Sequence, residues 1–200
     1  MTVARPIYPG ALWFVTCRCH QRNFRLLPGP EVNQLFRYLL AVGAERFGIL
    51  PVAMYVASTH YHLVLEDPDA EMPAFLQWMN SLVARFLNAR DAECDALWST
   101  RPHCALLPDP DAVVAKIGYA LANPVKDGLV PHGRLWPGVR TRPNDFWRPA
   151  EQVERPRSFF RPTGKLPDSA LLRWHVPSSH ADLSPKEFGQ VVAAEVGAVE

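Results

Sequence analysis

Residues 55–66, YVASTHYHLVLE, decide how this chain folds. Apolar and β-branched residues crowd the run and Pro68 closes it, the composition of a strand bounded by a breaker. Successive strand side chains point to opposite faces, so His60 and His62 share one face while Tyr61 looks the other way. Two imidazoles in that register are half a metal site. They are equally what an amphipathic strand shows to solvent, and the spacing alone leaves both readings open.

Working outward, ILPVAMYVAST (residues 49–59) is an adjacent strand with a tight join near residues 57–59. Before it, EVNQLFRYLLAVGAERF (31–47) sets Leu35, Phe36, Leu39, Leu40 and Ala44 at helical spacing between a Pro-Gly-Pro stop and Gly48. Further back, ALWFVTCRC (11–19) predicts a first strand with Cys17 and Cys19 on one face and His20 directly after. No second Cys or His cluster stands at ligand spacing, so this cluster reads as core packing and a strand-end histidine.

On the other side, EMPAFLQWMNSLVARFLNAR (71–90) repeats the helical stripe through Phe75, Leu76, Met79, Leu82, Val83, Phe86 and Leu87. Gln77, Asn80, Ser81, Arg85 and Arg90 fall on its polar side. RPHCALLPD (101–109) predicts a short fourth strand. The order βαββαβ is α+β: a ferredoxin-like or RRM-like antiparallel sheet with helices on one face. Its other face is left open to display polar chemistry from a central strand.

A further helix, DAVVAKIGYALAN (111–123), is predicted to begin at Asp109 or Asp111 and to break at Pro124. Tyr119 and Asn123 are four apart and share a face, about 6 Å apart along the axis. Lying across the open sheet face, this C-terminal helix would bring a phenol and a carboxamide toward the histidines. The plainer reading is a Tyr that packs and an Asn that caps the helix end.

Composition narrows the class. Two hundred residues with 48% hydrophobic content fit one folded domain plus an appendage: residues 1–150 as the main unit and 151–200 as an extension. No apolar run reaches the ~18 residues of a membrane span, and the opening MTVARPIYPG lacks an apolar signal core, so a cytoplasmic location without membrane attachment is expected. Four cysteines without CxxC pairing are expected to be reduced. A net charge of +1 argues against a sprawling non-specific nucleic-acid binder, while the excess of Arg over Lys favours bidentate phosphate contacts.

THYHLVL resembles the His-hydrophobic-His (HUH) motif of single-tyrosine HUH transposases, and YALANPVKDGLV resembles the Tyr-x-x-x-Asn-Pro-Val stretch of REP-associated tyrosine transposases. Order and separation agree too, and the resemblance spans about residues 5–148, including WSTRPHCALL and WPGVRTRPNDFW. It implies a DNA single-strand endonuclease and strand transferase in which Tyr119 is the nucleophile and passes through a 5′-phosphotyrosine. His60 and His62, completed by Asn123, would hold Mg²⁺ or Mn²⁺. The implied substrate is hairpin DNA with a single-stranded flank, bound by a monomer or homodimer. Tyr61, on the opposite face, is the wrong tyrosine for this chemistry.

DNA-contact candidates are Arg18, Arg22, Arg25, Arg85 and Lys126, with Arg140, Arg142 and Arg148 after the catalytic helix. Trp136, Phe146 and Trp147 can stack on bases or pack in the core. Two other functions suit the same residues: hairpin binding without cleavage, and a metal-dependent phosphodiesterase that activates water and needs no Tyr119. In the extension, a helix over about residues 184–196 is expected after a linker or surface wrap, with His175 and His180 incidental.

Overall fold

Alternation in the first strand sets up both layers of the fold. In the computed structural model, which describes residues 6–200, β1 (Ala11–Arg18) turns Trp13, Val15 and Cys17 to one side and Leu12, Phe14 and Thr16 to the other. Residues 1–5, half of the lead read as lacking a signal core, lie outside the described residues. After β1 come α1 (Pro30–Phe47), β2 (Leu50–Val56), β3 (His60–Asp67), α2 (Met72–Asp91) and β4 (His103–Leu106). The strands form one antiparallel sheet in the order β2-β3-β1-β4, the expected α+β arrangement.

The strand register puts chemistry at the sheet centre. β1 pairs with β3 along eight residues, with Thr16 opposite His62 and Arg18 opposite His60. Trp13, Val15, Cys17, Tyr61, Leu63 and Leu65 pack under α1 and α2. Gly48 ends α1 in the left-handed region at φ 65°, its N–H donating to the Ala44 carbonyl. Asp67 fixes the turn from β3 into α2 by accepting from the N–H groups of Glu71 and Met72 at 2.9 and 3.0 Å.

The second face, expected to be open but for one crossing helix, carries two helices. Leu12, Phe14 and Val64 meet α3 (Pro110–Lys126) and α4 (Pro185–Val199) in a second apolar cluster. A register shift between Pro51 and Ala53 lets the consecutive Val52 and Ala53 both join it. Asp109 caps α3 by accepting from the Ala112 N–H at 2.8 Å.

The break predicted at Pro124 is not there: α3 runs on to Lys126. A proline removes its own N–H bond, which near a helix end is one bond, and Pro124 is buried in compensation. The Asp127 N–H still donates to the Asn123 carbonyl at 2.9 Å, and Gly128 then turns the chain at φ 68°. Asn123 is therefore not an end cap. It lies inside the helix with its side chain buried.

The extension read as linker and wrap holds more structure than expected. β5 (Glu151–Glu154) and β6 (Ser169–Leu172) form an antiparallel ribbon whose Val153, Ala170 and Leu172 pack into the cluster under α1. The expected final helix is α4, opened by reciprocal bonds between Ser184 and Glu187. Where α4 crosses α3, a Cβ on Gly118 would collide with Glu195, so glycine is what permits the close approach beside Tyr119.

Candidate active site

The period of two in β3 separates its two tyrosine and histidine faces completely. Tyr61 is fully buried on the α1/α2 side, its hydroxyl donating to Asn80 Oδ1 at 2.9 Å. Asn80, read from sequence as part of a polar helix face, is thus an interior residue. His60 and His62 lie on the α3 side with ring centroids 4.8 Å apart.

His62 is 2% exposed and enclosed by aromatic rings: Phe14 stacked at 5.1 Å, Tyr119 edge-on at 5.5 Å and Tyr55 at 6.4 Å. Its Nδ1 lies 2.9 Å from Thr16 Oγ1. In the tautomer where Nδ1–H donates to that hydroxyl, Nε2 presents a bare lone pair. Nε2 is buried and has no hydrogen-bond partner among the described residues. Burial foremost, then the neighbouring His60, Arg18 and Lys116, push the His62 pKa down to about 3. Burial and Arg18 also lower that of His60, whose Nδ1 lies 3.1 Å from Thr59 Oγ1, with Asp127 acting the other way. Both rings are held neutral, the state that binds metals.

α3 brings the remaining groups. Asn123 is 5% exposed, and its Oδ1 is likewise buried without a partner. Tyr119, one helical turn away, is 37% exposed. Its ring is flanked by the ammonium groups of Lys116 at 5.4 Å and Lys126 at 5.1 Å. Among the described residues no three His, Cys, Asp or Glu side chains converge on a metal position. Two imidazoles and a carboxamide are a different donor set, and two of its donor atoms are buried and otherwise unused. That donor set fits a divalent cation with positions left for oxygen ligands.

The basic residues disperse. Arg18 is exposed at the end of β1 opposite His60, and Lys126 stands against Tyr119. Arg22 is exposed in the turn after β1 at φ 57°. Arg25 is engaged by Asp91 at 2.9 Å and Asn88 at 3.2 Å. Arg85 is exposed on α2, across the sheet from the histidines. Arg140 is largely enclosed, donating to the Leu121 carbonyl at 2.6 Å and to Glu200 at 3.2 Å. Arg142 and Arg148 are exposed and border the same cavity as Arg140. Of the aromatics, Trp136 packs on Tyr55 at 5.6 Å, Phe146 is buried against Phe188, and Trp147 is exposed.

Sequence reasoning passed over Phe14, Thr16, Tyr55 and Lys116. Two carried a usable signal: Lys116 is three residues before Tyr119 on one helix, and Thr16 shares the strand face of Phe14. Tyr55 had none, because only the pairing of β2 with β3 sets it opposite His62.

The architecture, an antiparallel sheet with helices on both faces, has a counterpart among solved structures. The solved structure of a REP-associated tyrosine transposase bound to a REP hairpin is similar, with a TM-score of 0.58, 18% identity, and coverage of 84% of this chain and 94% of that one. At that identity the likeness is one of fold. A second solved structure, a protein of Deinococcus radiodurans assigned as a transposase, matches at 20% identity over 52% of this chain and 85% of its own, with a TM-score of 0.40, and no argument rests on it. No protein-family model and no curated protein matches the sequence. No helix among the described residues is long and apolar enough to cross a membrane.

Proposed function

We propose that this protein binds hairpin DNA with a single-stranded flank and cleaves and rejoins one strand through Tyr119. The observation that carries the reading is the pair of buried, unpartnered lone-pair atoms, His62 Nε2 and Asn123 Oδ1, the first on a ring in edge contact with an accessible tyrosine and the second one helical turn from that tyrosine on α3. Leaving such atoms unpaired costs roughly 1–3 kcal/mol each unless a ligand uses them. The fold shared with a hairpin-bound transposase supports DNA as the substrate.

His60, His62 and Asn123 would hold Mg²⁺ or Mn²⁺, which supplies Lewis acidity toward a non-bridging phosphate oxygen. Thr16 fixes the His62 ring so that Nε2, not Nδ1, faces the site. Phe14 meets the Tyr119 ring edge-on at 6.1 Å and limits its swing. Lys116 and Lys126 add positive charge beside the Tyr119 ring, where an anionic backbone must approach. The phenolic oxygen attacks phosphorus, the 3′ oxygen departs and takes up a proton, and a 5′-phosphotyrosine with a free 3′-OH results. The reverse attack restores the bond, or joins a different strand, without ATP.

The test is a labelled hairpin with a single-stranded flank, incubated with Mg²⁺ or Mn²⁺ and wild type or Tyr119→Phe, then run on a denaturing gel. A protein–DNA adduct that disappears in Tyr119→Phe is expected. Binding without cleavage by wild type would reduce the protein to a hairpin binder. Cleavage that survives Tyr119→Phe would instead assign water as the nucleophile.

A further inference from the structure

Beyond the β2 edge of the sheet lies a cavity of about 410 Å³ walled by five arginines from three separate stretches. Arg37 comes from α1, Arg140, Arg142 and Arg148 from the segment between α3 and β5, and Arg173 from the chain just after β6. Among the described residues two carboxylates, Asp145 and Glu151, share the wall. Gathering guanidinium groups this way raises a positive potential that an incoming anion relieves. Their planar forks match phosphate oxygens in pairs. The volume falls within the ~300–1,000 Å³ of ligand pockets, enough for a nucleotide-sized group and more than one small ion needs.

Three of the five are already held. Arg37 pairs with Glu151 at 3.0 Å, Arg148 loosely with Asp145 at 3.8 Å, and Arg140 with Glu200 at 3.2 Å. Arg142 and Arg173 are exposed and have no ion-pair partner among the described residues. The cavity is also tied to the catalytic centre. Residues 139–141 run along β2, with Val56 N–H donating to Val139 and Thr141 N–H to Met54, both at 2.9 Å. Arg140 is bridged to Tyr55, whose ring stands 6.4 Å from that of His62.

We propose that this cavity is a second phosphate site, where Arg142 and Arg173 grip the backbone of the same DNA whose cleaved phosphate lies at Tyr119. The inference rests on the DNA reading above and explains the β5–β6 ribbon, which closes one wall and delivers Arg173.

The experiment measures hairpin affinity by fluorescence anisotropy across a NaCl series for wild type, Arg142→Gln/Arg173→Gln and a control, Arg157→Gln, an exposed arginine outside the cavity. Losing two phosphate contacts lowers the slope of log Kd against log salt by about 1.5 and weakens low-salt binding about tenfold. Each single variant gives about half the change in slope, and adduct formation at saturating DNA stays at the wild-type level. Melting curves that match wild type verify that the variants are folded; if the double variant melts early, the singles decide. Wild-type affinity and slope in folded variants would overturn the proposal while leaving the DNA reading intact. Failure of the wild type to bind any hairpin would overturn the DNA reading, and this site with it.

Discussion

The two faces of the central sheet carry similar residues to opposite ends. Under α1 and α2, a tyrosine, two cysteines and an asparagine are absorbed into packing: Cys17 and Cys19 are buried and Tyr61 spends its hydroxyl on Asn80. Under α3 and α4, the tyrosine stays accessible and the unpaired buried atoms include a histidine nitrogen and a carboxamide oxygen. Unpaired groups exist on the first side too: Trp13 Nε1 and Asn80 Nδ2 are N–H donors with no lone pair to offer a cation, and Asn33 Oδ1 on α1 is a single carboxamide oxygen whose amide nitrogen donates to the Pro137 carbonyl. What distinguishes the candidate site is that a histidine nitrogen and a carboxamide oxygen are left over together on one face of the sheet, not the residue types present.

Exchanging hydroxyls for hydrogens on the two faces is the sharpest way to break that contrast. Tyr119→Phe is expected to abolish the covalent adduct, a fall of at least about 10³-fold, while stability stays within roughly 0.5 kcal/mol because the residue is partly exposed. Tyr61→Phe should keep the adduct and lose about 1–3 kcal/mol in urea melts, since Asn80 Oδ1 is left buried without its donor. Were Tyr61→Phe the variant that loses the adduct, the assignment of the faces would be reversed.

The histidine pair comes next. Mn²⁺ titrated into wild type should bind, and into His60→Ala/His62→Ala should not, as read by electron paramagnetic resonance of free Mn²⁺. Equal binding by both proteins would remove the pair from the metal site. A smaller effect is expected one shell out. Thr16→Val keeps the shape but frees the His62 ring to turn, so metal affinity should drop about 10- to 100-fold with the fold intact. An unchanged affinity would mean that the ring is fixed by Phe14 stacking alone.

Much of this contrast was legible in the sequence, because strand alternation alone sends Tyr61 and the histidines apart, and helical spacing alone puts Tyr119 over Asn123. The four strands and first three helices fall where apolar periodicity put them. What escaped has physical causes. Pro124 reads locally as a stop, yet tertiary burial carries α3 past it. β5 and β6 are four residues each, with Glu151, Gln152 and Glu154 exposed, so no alternation rises above the surrounding proline-rich sequence. Asn80 looked polar because its partner, Tyr61, is 19 residues away and on another element. Tyr55 and Thr16 become site residues only through cross-strand register, which a linear reading does not hold.

The last and smallest effects separate the faces by pH, measured on chelator-treated protein. On the site face, unfolded His62 would take up a proton near 6.5, whereas burial and its cationic neighbours hold the folded ring near a pKa of about 3. Between those values the unfolded chain binds a proton that the folded chain refuses. Stability is therefore full above 6.5 and falls with acidification by up to about 1.4 kcal/mol per pH unit, with His60 adding in the same direction. On the packing face the sign reverses. Burial lifts Cys17 to about 12 and Cys19 to about 11, against 9.0 for an ordinary thiol, so stability is full below 9.0 and drains away as the pH rises. Urea midpoints at pH 5.5, 7.5 and 10 should fall on both sides of the middle value. His62→Gln should make the acid limb shallower and leave the alkaline limb as it is, and Cys17→Val should do the reverse. Each effect is partial, since His60 also contributes on the acid side and Cys19, Tyr61 and Tyr55 on the alkaline side. If either substitution flattened the opposite limb, His62 and Cys17 would be coupled across the sheet, and strand alternation would not be enough to keep the titration of one face from the other.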